Sequence, residues 1–447
     1  MAAQLIASLV LLAGLTLPPC VVAQTEYIPA PSREQGEQEK AKKKKKDDDV
    51  GFRWKGYPSF QLGKGTHVDV RARVQFDVRH FDSPAFAEAT AGKPSETDSS
   101  QSDFARRRIA VEGEIRNLVA FEVDAELEGE NRWRDVYANY QQFDQVQVRG
   151  GQFKLPFSMD ENTSPTNLDF VYRSLAARVL APGRDRGVMV HGRLLDRIVR
   201  YELGLFDQDG RNARTRNPER VSGGHTLAAR VVAQPFRNSK SIAADLQAGL
   251  AFTSSDVDLG LHSLRGLTTF DETFFDPDLW VQGRRQRTGF ELRWRPGPFS
   301  FKSEYIHVTT ERRGQSVEDT DLSPLFATGW YVSGTWAITG EKKADGLNKP
   351  RRPFLRGGLG AFEAAVRYER LTFGSLGTDD VASFSARADV LEPASDYATT
   401  IGGSWYLNQW MKIQLNAVRE AVTSPRRSDP ASNRTRWYYV TRFQFTM

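Results

Sequence analysis

One stretch of the chain alternates apolar and charged residues without a break. From Val68 to Val78 every even position is Val, Ala or Phe, while the odd positions are Asp, Arg or Gln. The same period returns from Val119 to Leu127, where apolar residues alternate with Glu and Asp. Successive side chains of a β-strand point to opposite faces, so each stretch predicts a strand with one apolar and one charged face. A chain built mostly of such strands is typical of a membrane barrel, since lipid contacts one face and a polar lumen the other.

The period recurs along the chain and predicts an all-β fold, a closed transmembrane antiparallel β-barrel of about 16 strands. An even number of strands is typical of single-chain bacterial barrels. Phe290, Leu292 and Val332 exemplify the predicted outward face. The predicted strands span 66–81, 104–116, 118–130, 133–144, 145–154, 186–195, 197–207, 224–235, 242–254, 286–296, 298–309, 328–339, 360–372, 396–408, 410–422 and 435–446.

The composition is compatible with such a barrel although it resembles that of a soluble protein. The 447 residues are 39% hydrophobic, and the mean hydropathy is −0.51. Beyond the N-terminus no apolar run approaches the roughly 20 residues that a membrane helix needs. Only alternate residues of a barrel strand must be apolar, and polar loops and lumen lower the average further.

The N-terminus predicts export. Residues 1–23 combine an apolar run with the small-residue sequence Val21-Val22-Ala23, which indicates a signal peptide, and the one cysteine, Cys20, lies within it. Residues 24–50 then form a polar linker with a lysine run, and residues 51–447 form the predicted barrel. A nucleic-acid site is one interpretation of the lysines, but the linker holds seven Lys or Arg against seven Asp or Glu. A solvated periplasmic linker is therefore favoured, and no nucleic-acid partner is expected.

Short and long connections alternate between the predicted strands. Short links, for example at Asn117 and at Leu195-Asp196, are expected at the periplasmic end, and the long segments at the extracellular end. Two links break the alternation: the one near 130–132 is short on the loop side, and 340–359 is long on the turn side. The long segments span 82–103, 155–185, 208–223, 255–285, 310–327, 373–395 and 423–434.

No enzymatic motif stands out. The chain lacks a G-x-S-x-G elbow, an H-E-x-x-H sequence and a cysteine pair, and its six histidines are scattered. We therefore expect no enzymatic activity, no catalytic residue, no cofactor and no bound metal. The acidic loop at 318–321 admits a calcium site as an alternative, but a solvated loop is favoured.

The charged strand faces carry the candidate functional residues. The strand period directs a set of arginines into the lumen, and Lys154 and Arg173 belong to the segment that follows the fifth strand. Strand 118–130 opposes them with an acidic wall of Glu122, Asp124, Glu126 and Glu128. These groups either pair across the lumen without selecting a solute or pass anions along a series of guanidinium groups. The lumenal arginines are Arg71, Arg73, Arg79, Arg106, Arg108, Arg149, Arg287, Arg293, Arg295 and Arg367.

Several motifs together resemble the phosphate-selective porin O/P family. A G-x-F-K-x-P-F-S segment begins at Gly151, Thr163-Ser164 follows, and the segment closes with Tyr172-Arg173-Ser174. The resemblance covers the mature barrel from about residue 54. Further matching pieces are Arg106-Arg107-Arg108, Gly187-Val188-Met189-Val190-His191-Gly192, Gly360-Ala361-Phe362-Glu363, Val366-Arg367-Tyr368 and Trp405-Tyr406-Leu407-Asn408.

The resemblance implies a homotrimeric, 16-stranded channel in the outer membrane, in contact with its lipids, that carries phosphate, pyrophosphate or similar anions. It also implies that loops fold inward and that a long periplasmic connection narrows the pore. That connection gives a role to the exceptional link at 340–359. Its basic residues are Lys342, Lys343, Lys349, Arg351, Arg352 and Arg356, of which Lys349, Arg351 and Arg352 join the candidate anion path.

An anion-preferring porin is the leading hypothesis, and three alternatives stay open. The acidic wall could cancel the arginines and leave a weakly selective diffusion porin. A barrel enzyme would need a Ser, His and acid group at one level of the wall. An anchoring barrel would have a plugged lumen.

Overall fold

Sixteen antiparallel strands form one closed barrel in the computed structural model of the chain. Two short strands precede them, and a two-stranded hairpin lies in a connection. The strands are β1 (Gly51–Trp54), β2 (Pro58–Gly63), β3 (Thr66–Phe81), β4 (Ser100–Ile115), β5 (Val119–Glu126), β6 (Trp133–Tyr140), β7 (Gln147–Lys154), β8 (Arg184–Leu194), β9 (Val199–Phe206), β10 (Thr226–Ala233), β11 (Gln247–Leu261), β12 (Gly266–Leu267), β13 (Thr273–Phe275), β14 (Trp280–Trp294), β15 (Phe299–Arg312), β16 (Leu322–Ala337), β17 (Ala361–Ser375), β18 (Ala394–Tyr406), β19 (Met411–Thr423) and β20 (Thr435–Thr446).

Among the residues that the structure describes, helical structure is confined to short pieces: α1 (Met159–Asn162), α2 (Leu175–Leu180) and four 3₁₀ turns. In the part of the chain that the structure describes, no helix is long and apolar enough to cross a membrane. The predicted signal peptide 1–23 and all of the predicted linker except Val50 lie outside that part. The structure describes residues 50–81, 100–129, 132–212, 224–262, 264–275, 279–344, 349–377, 379, 381–383, 392–424 and 435–447.

The sheet closes where β20 pairs with β3. Tyr438 lies opposite Phe81, and Thr446 lies opposite Arg73. The first residues of β3, which lie beyond the end of β20, instead pair with β2. Closure leaves no free sheet edge among the sixteen strands, which is what a lipid environment requires. The predicted closed barrel of about 16 strands is confirmed.

Apolar side chains cover the outer surface in alternation with buried inner ones. Phe290, Leu292 and Val332, which the strand period placed outside, are 53%, 49% and 55% exposed. Aromatic pairs stack between neighbouring strands near the short-turn end, as in the girdles of membrane barrels. These pairs are Trp294 with Phe301, Phe299 with Trp336, and Phe362 with Trp405.

The short links use backbone conformations that match strand twist. Asn117 and Asp196, both in predicted short links, have φ of 54° and 53°. Positive φ at the centre of a two-residue turn suits the right-handed twist of the flanking strands. The predicted start of strand 242–254 is wrong. A 3₁₀ turn at Ile242–Asp245 precedes β11, because Leu246 N donates locally to Ala243 O at 2.9 Å.

Two strands extend further into a predicted loop than the period indicates. β11 continues to Leu261 and β14 begins at Trp280, whereas residues 255–285 were predicted as a loop. A register shift between Val257 and Gly260 interrupts the alternation, so the period no longer marks the strand.

Candidate functional site

The connection between β7 and β8 folds into the barrel from the long-loop end, and we call residues 155–183 the first lumen segment. It contains α1, a 3₁₀ turn at Pro165–Asn167 and α2. Each helix begins after a serine whose Oγ accepts a hydrogen bond from a helix N–H. Ser158 Oγ lies 3.2 Å from Glu161 N, and Ser174 Oγ lies 3.2 Å from Ala177 N. These caps fix where both helices start.

Apolar side chains press the first lumen segment against the inner wall. Phe157, Leu175 and Leu180 are fully or almost fully buried. Ala176 of α2 lies on Gly329 of β16, where a Cβ atom would be only 2.7 Å from the Ala176 Cβ. Because Gly329 has no side chain, the helix lies directly on the wall.

A row of glutamates crosses the wall beneath this segment. The row runs across six neighbouring strands, in which successive register partners all point inward; four of these six positions are glutamates. Glu369 Oε2 accepts a hydrogen bond from Leu175 N at 2.6 Å, and Glu304 accepts one from Asp160 N at 3.0 Å and another from Met159 N. The glutamate row comprises Glu291, Glu304, Glu369 and Glu420, with Tyr331 and Ala398 on the intervening strands.

Residues 264–275, the second lumen segment, occupy the same side of the barrel. Phe270 and Phe274 are buried in the cluster that also holds α2. Glu420 Oε1 accepts hydrogen bonds from Thr269 N at 2.7 Å and Thr269 Oγ1 at 2.8 Å. Glu304, Glu369 and Glu420 are thus bonded to the inserted segments and covered by them, whereas Glu291 accepts hydrogen bonds from Arg230 of β10.

In the described part of the barrel, three open cavities lie around the first lumen segment. One of about 550 Å³ lies toward the long-loop end, and two of about 310 Å³ and 320 Å³ lie toward the short-turn end. The long-loop cavity is lined by Arg132, Arg134, Arg184, Arg186 and Arg211 against Glu161 and Asp185. The charged lining of the 310 Å³ cavity is Lys55, Arg71, Arg73 and Lys349 against Glu112. That of the 320 Å³ cavity is Arg200, Arg230, Arg293, Arg295 and Lys302 against Asp169 and Glu202.

The predicted arginines of β3 and β4 mostly pair with carboxylates. Within the predicted acidic wall, Glu122 accepts a hydrogen bond from Tyr137 Oη at 3.0 Å, and Glu128 lies beyond the end of β5 beside Arg107. Arginines and acids of this wall therefore neutralise each other in part. The pairs are Arg71 with Glu112 (2.6 Å), Arg73 with Asp124 (3.2 Å), Arg79 with Asp103 (2.8 Å) and Arg108 with Glu126 (2.6 Å).

Arg106 and Arg149 differ from these arginines. Arg106 Nη1 donates to Gln75 Oε1 at 2.6 Å, and the Arg149 guanidinium lies over the Tyr137 ring at 4.4 Å from its centre. Neither guanidinium has a carboxylate within ion-pair distance among the described residues. Among the predicted lumenal arginines, these two are therefore the ones without a carboxylate partner in the described part of the chain.

Lys154 and Arg173 hold the first lumen segment. Both side chains donate to the carbonyl oxygen of Thr163. The distance to this oxygen is 3.3 Å from Lys154 Nζ and 2.7 Å from Arg173 Nη2. Glu161 Oε2 is 3.4 Å from Arg173 Nε and 2.7 Å from Arg211 Nη2. Burial alone would raise the pKa of the Glu161 carboxyl, but the guanidinium groups of Arg211 and Arg173 lower that pKa to about 2. Glu161 therefore stays ionised at neutral pH.

The later predicted arginines occupy two kinds of place. Arg287 is fully buried, and its two Nη atoms donate to Asp209 at 2.6 and 2.8 Å. Arg367 Nε donates to Glu369 at 2.8 Å. Arg293, by contrast, lines the 320 Å³ cavity.

The long connection between β16 and β17 sends one lysine into the barrel. Lys343 Nζ lies 2.8 Å from Asp169 Oδ1 and 2.6 Å from Glu363 Oε2, and Lys302 Nζ lies 2.7 Å from Asp169 Oδ2. Burial alone would lower the pKa of Lys343, but Asp169 raises it above its ordinary value. Burial would likewise raise the pKa of Asp169, but Lys302 and Lys343 lower it. The connection is thereby fastened to the first lumen segment.

The other basic residues of this connection lie at different places. Lys349 lines the 310 Å³ cavity together with Arg71 and Arg73. Arg351 Nη2 donates to the Gly340 carbonyl at 3.0 Å, and Arg352 is exposed.

Sequence reasoning missed the glutamate row and the role of Lys343. Glu304 and Glu369 do follow the inward phase of their strands, so the period contained a signal. That the glutamates share one row depends on the register of six strands, which the period of each strand alone does not give.

Comparisons with known proteins agree with this geometry. A family model described as "Phosphate-selective porin O and P" matches residues 68–447. Porin O of Pseudomonas aeruginosa is 25% identical over 163 residues, covering 35% of this chain and 34% of that protein. The match thus spans about a third of the length of this curated relative.

Solved structures show the same fold. The outer membrane channel DcaP of Acinetobacter baumannii has a TM-score of 0.53 at 11% identity, covering 89% of this chain and 100% of that one. Pseudomonas putida OprB has a TM-score of 0.51 at 10% identity, covering 85% of this chain and 94% of that one. At these identities the likeness concerns the fold alone.

Proposed function

Since this chain belongs to the phosphate-selective porin O and P family, we propose that the channel it forms in the bacterial outer membrane prefers anions. Phosphate, pyrophosphate or similar small anions are the proposed solutes. Family and barrel fold support a channel rather than an enzyme.

The charge of the open cavities carries this proposal. Basic side chains outnumber acidic ones in each of the three: five to two in the long-loop cavity, and four to one and five to two in the others. On the opposite wall Glu304, Glu369 and Glu420 are covered and bonded to main-chain N–H groups, and Glu291 is paired with Arg230, so the glutamate row contributes less negative charge to the open path. A path with a positive surplus at each level favours anions.

The surplus is spread over the path rather than gathered at one point. On the inner wall outside the three cavities, Arg149 and Arg106 add guanidinium charge that has no carboxylate partner among the described residues, whereas Arg73, which lines one cavity, is paired with Asp124. Several moderate sites in series let an anion enter and leave, while one deep site would hold it.

A weakly selective porin is the second candidate, and a specific observation favours it. The acids of β5 lie within ion-pair distance of Arg73 and Arg108, so part of the arginine charge is cancelled. The two candidates differ in the sign and size of ion selectivity.

Reversal potentials across a planar bilayer in a salt gradient distinguish the two. We expect anion preference in the unmodified channel and a smaller anion-to-cation permeability ratio in Arg149→Gln, since that change removes an unpaired lumenal charge. Arg193→Gln is the matched control, because Arg193 pairs with Asp144 at a short turn. Cation preference of the unmodified channel, or equal ratios in all three proteins, would contradict the proposal.

We further propose that phosphate and pyrophosphate compete with chloride for this path. Adding either anion should lower chloride conductance in a concentration-dependent manner, and less so in Arg149→Gln. If neither anion changed the chloride conductance, the proposal would be contradicted and the channel would carry other solutes.

We also propose a homotrimer, as the family resemblance implies. Chemical cross-linking of the protein in outer-membrane vesicles should give a ladder that ends at three chains. A ladder ending at one or two would contradict this assembly.

A further inference from the structure

Two buried carboxyl groups lie side by side on the inner wall. Asp396 of β18 and Glu420 of β19 are 0% and 2% exposed. Ala398 is the register partner of Glu420, so Asp396 is its diagonal neighbour on the same inward face, a spacing that long side chains can bridge.

The hydrogen bonds around this pair are incomplete. Glu420 Oε1 accepts from Thr269 of the second lumen segment, but Glu420 Oε2 and both carboxyl oxygens of Asp396 have no donor among the described residues. Three buried oxygens that face one another without a hydrogen between them are unfavourable. A proton placed between the two carboxyl groups supplies the missing donor.

The charged groups that face Asp396 and Glu420 form ion pairs with one another. None of the described cations lies within ion-pair distance of either carboxyl, and Tyr438 of β20 is the remaining titratable neighbour. The matched groups are Arg367 with Glu369 of β17, Arg178 of α2 with Asp271, and Arg436 of β20 with Glu272 of the second lumen segment.

Two like charges at this separation in a buried site cannot both persist without a cation, and one shared proton removes the conflict. We propose that Asp396 and Glu420 share one proton at neutral pH and that this proton keeps the second lumen segment seated on the wall. With the proton in place, one hydrogen bond joins the carboxyl groups and Glu420 Oε1 remains free to accept from Thr269.

Loss of the proton at alkaline pH places two negative charges in contact. Their repulsion displaces the Glu420 side chain and thus weakens its two hydrogen bonds to Thr269. The second lumen segment keeps its buried Phe270 and Phe274 but loses its attachment at Thr269, so it leaves the wall more often and enters the open path. This latch acts on conductance and does not depend on which ion the channel prefers.

Single-channel recording of the full-length protein tests the latch between about pH 6 and about pH 10. We expect steady openings at the acidic end, and lower and more frequently interrupted current as pH rises. In Asp396→Asn the amide donates to Glu420 at every pH, so the current should stay steady throughout. Asp256→Asn is the control, because Asp256 is an exposed acid, and it should keep the pH dependence of the unmodified channel.

Infrared spectroscopy of the same proteins detects the proton directly. The unmodified protein should show the carbonyl band of protonated carboxylic acids at neutral pH, and this band should be weaker in Asp396→Asn. Three results would overturn the proposal: a flat pH profile of the unmodified channel, an unchanged profile in Asp396→Asn, or the same carboxylic acid band in both proteins.

Discussion

Single residues determine how closely the first lumen segment approaches the wall. Gly329 lies against Ala176, and Gly289 lies against Phe157, where a Cβ atom would be 3.2 Å from the phenyl ring. The absence of a side chain at these positions makes space for the inserted chain. The diameter of the open path therefore depends partly on residues that never face it.

Gly329→Ala tests this dependence. The added methyl group meets the Ala176 Cβ, so α2 must shift toward the open path, and the overpacking should cost about 1–3 kcal/mol. We expect lower single-channel conductance and a lower thermal unfolding temperature. Gly334→Ala on the same strand is the matched control, because its nearest neighbouring atoms lie 3.9 Å or more away. Equal conductance in both variants would contradict the packing argument.

At the scale of elements, the two ends of the barrel meet at one ion cluster. The first lumen segment comes from the long-loop end and supplies Asp169, while the β16–β17 connection comes from the short-turn end and supplies Lys343. Glu363 of β17 and Lys302 of β15 complete the cluster. A change in either element is therefore transmitted to the other.

Lys343→Met separates the two elements. Asp169 retains Lys302, but the buried ion pair between Lys343 and Glu363 is broken, a change that typically costs about 3–5 kcal/mol. We expect noisier open-channel current and faster proteolysis of the first lumen segment. Lys342→Met provides the control, since Lys342 is exposed. If Lys342→Met had the same effect as Lys343→Met, the cause would be the loss of positive charge in general and not the broken ion pair.

Glu161 makes the first lumen segment resistant to acid. The pKa of the Glu161 carboxyl is lowered from 4.5 to about 2. The ion pairs of its carboxylate therefore stabilise the segment fully above pH 4.5, and this stabilisation is lost as the pH falls through about 2. We therefore expect that protonation of Glu161 causes no change in channel conductance until the pH falls to about 2. Glu161→Gln should loosen the segment already at neutral pH, as measured by conductance noise. A variant as quiet as the unmodified channel would show that Glu161 does not hold the segment.

At the scale of the whole molecule, closure is the step that completes the barrel. β20 pairs with β3 from Tyr438 to Thr446, whereas the β1–β2 hairpin only extends one edge of β3. Without β20, both β19 and β3 would expose unpaired main-chain groups to lipid, and each such group costs several kcal/mol.

Deleting residues 435–447 should prevent the barrel from closing. The heat-dependent shift in gel mobility that marks a folded barrel is expected to disappear. Deleting residues 51–63 should preserve that shift, because these residues do not take part in closure. Loss of the shift in both deletions would mean that the hairpin is also needed for assembly.

The alternating pattern was sufficient to predict the barrel but insufficient for its interior. β3 spans Thr66–Phe81 as predicted, since lipid on one face imposes a strict period. Arg287 and Arg149 follow the same inward phase, yet one is buried against Asp209 and the other has no carboxylate partner among the described residues. These partners come from distant strands and inserted segments, and the local period carries no information about them.

The glutamate row has a consequence for how channels of this kind diversify. Glu304, Glu369 and Glu420 bind main-chain N–H groups of the inserted segments, and every residue except proline offers the same group. This part of the attachment to the wall is therefore independent of the side chains that the segments carry, whereas buried side chains such as Phe157 and Leu175 supply the rest. Residues facing the open path can be exchanged while the scaffold stays constant, so solute preference can evolve, or be redesigned, without refolding the barrel.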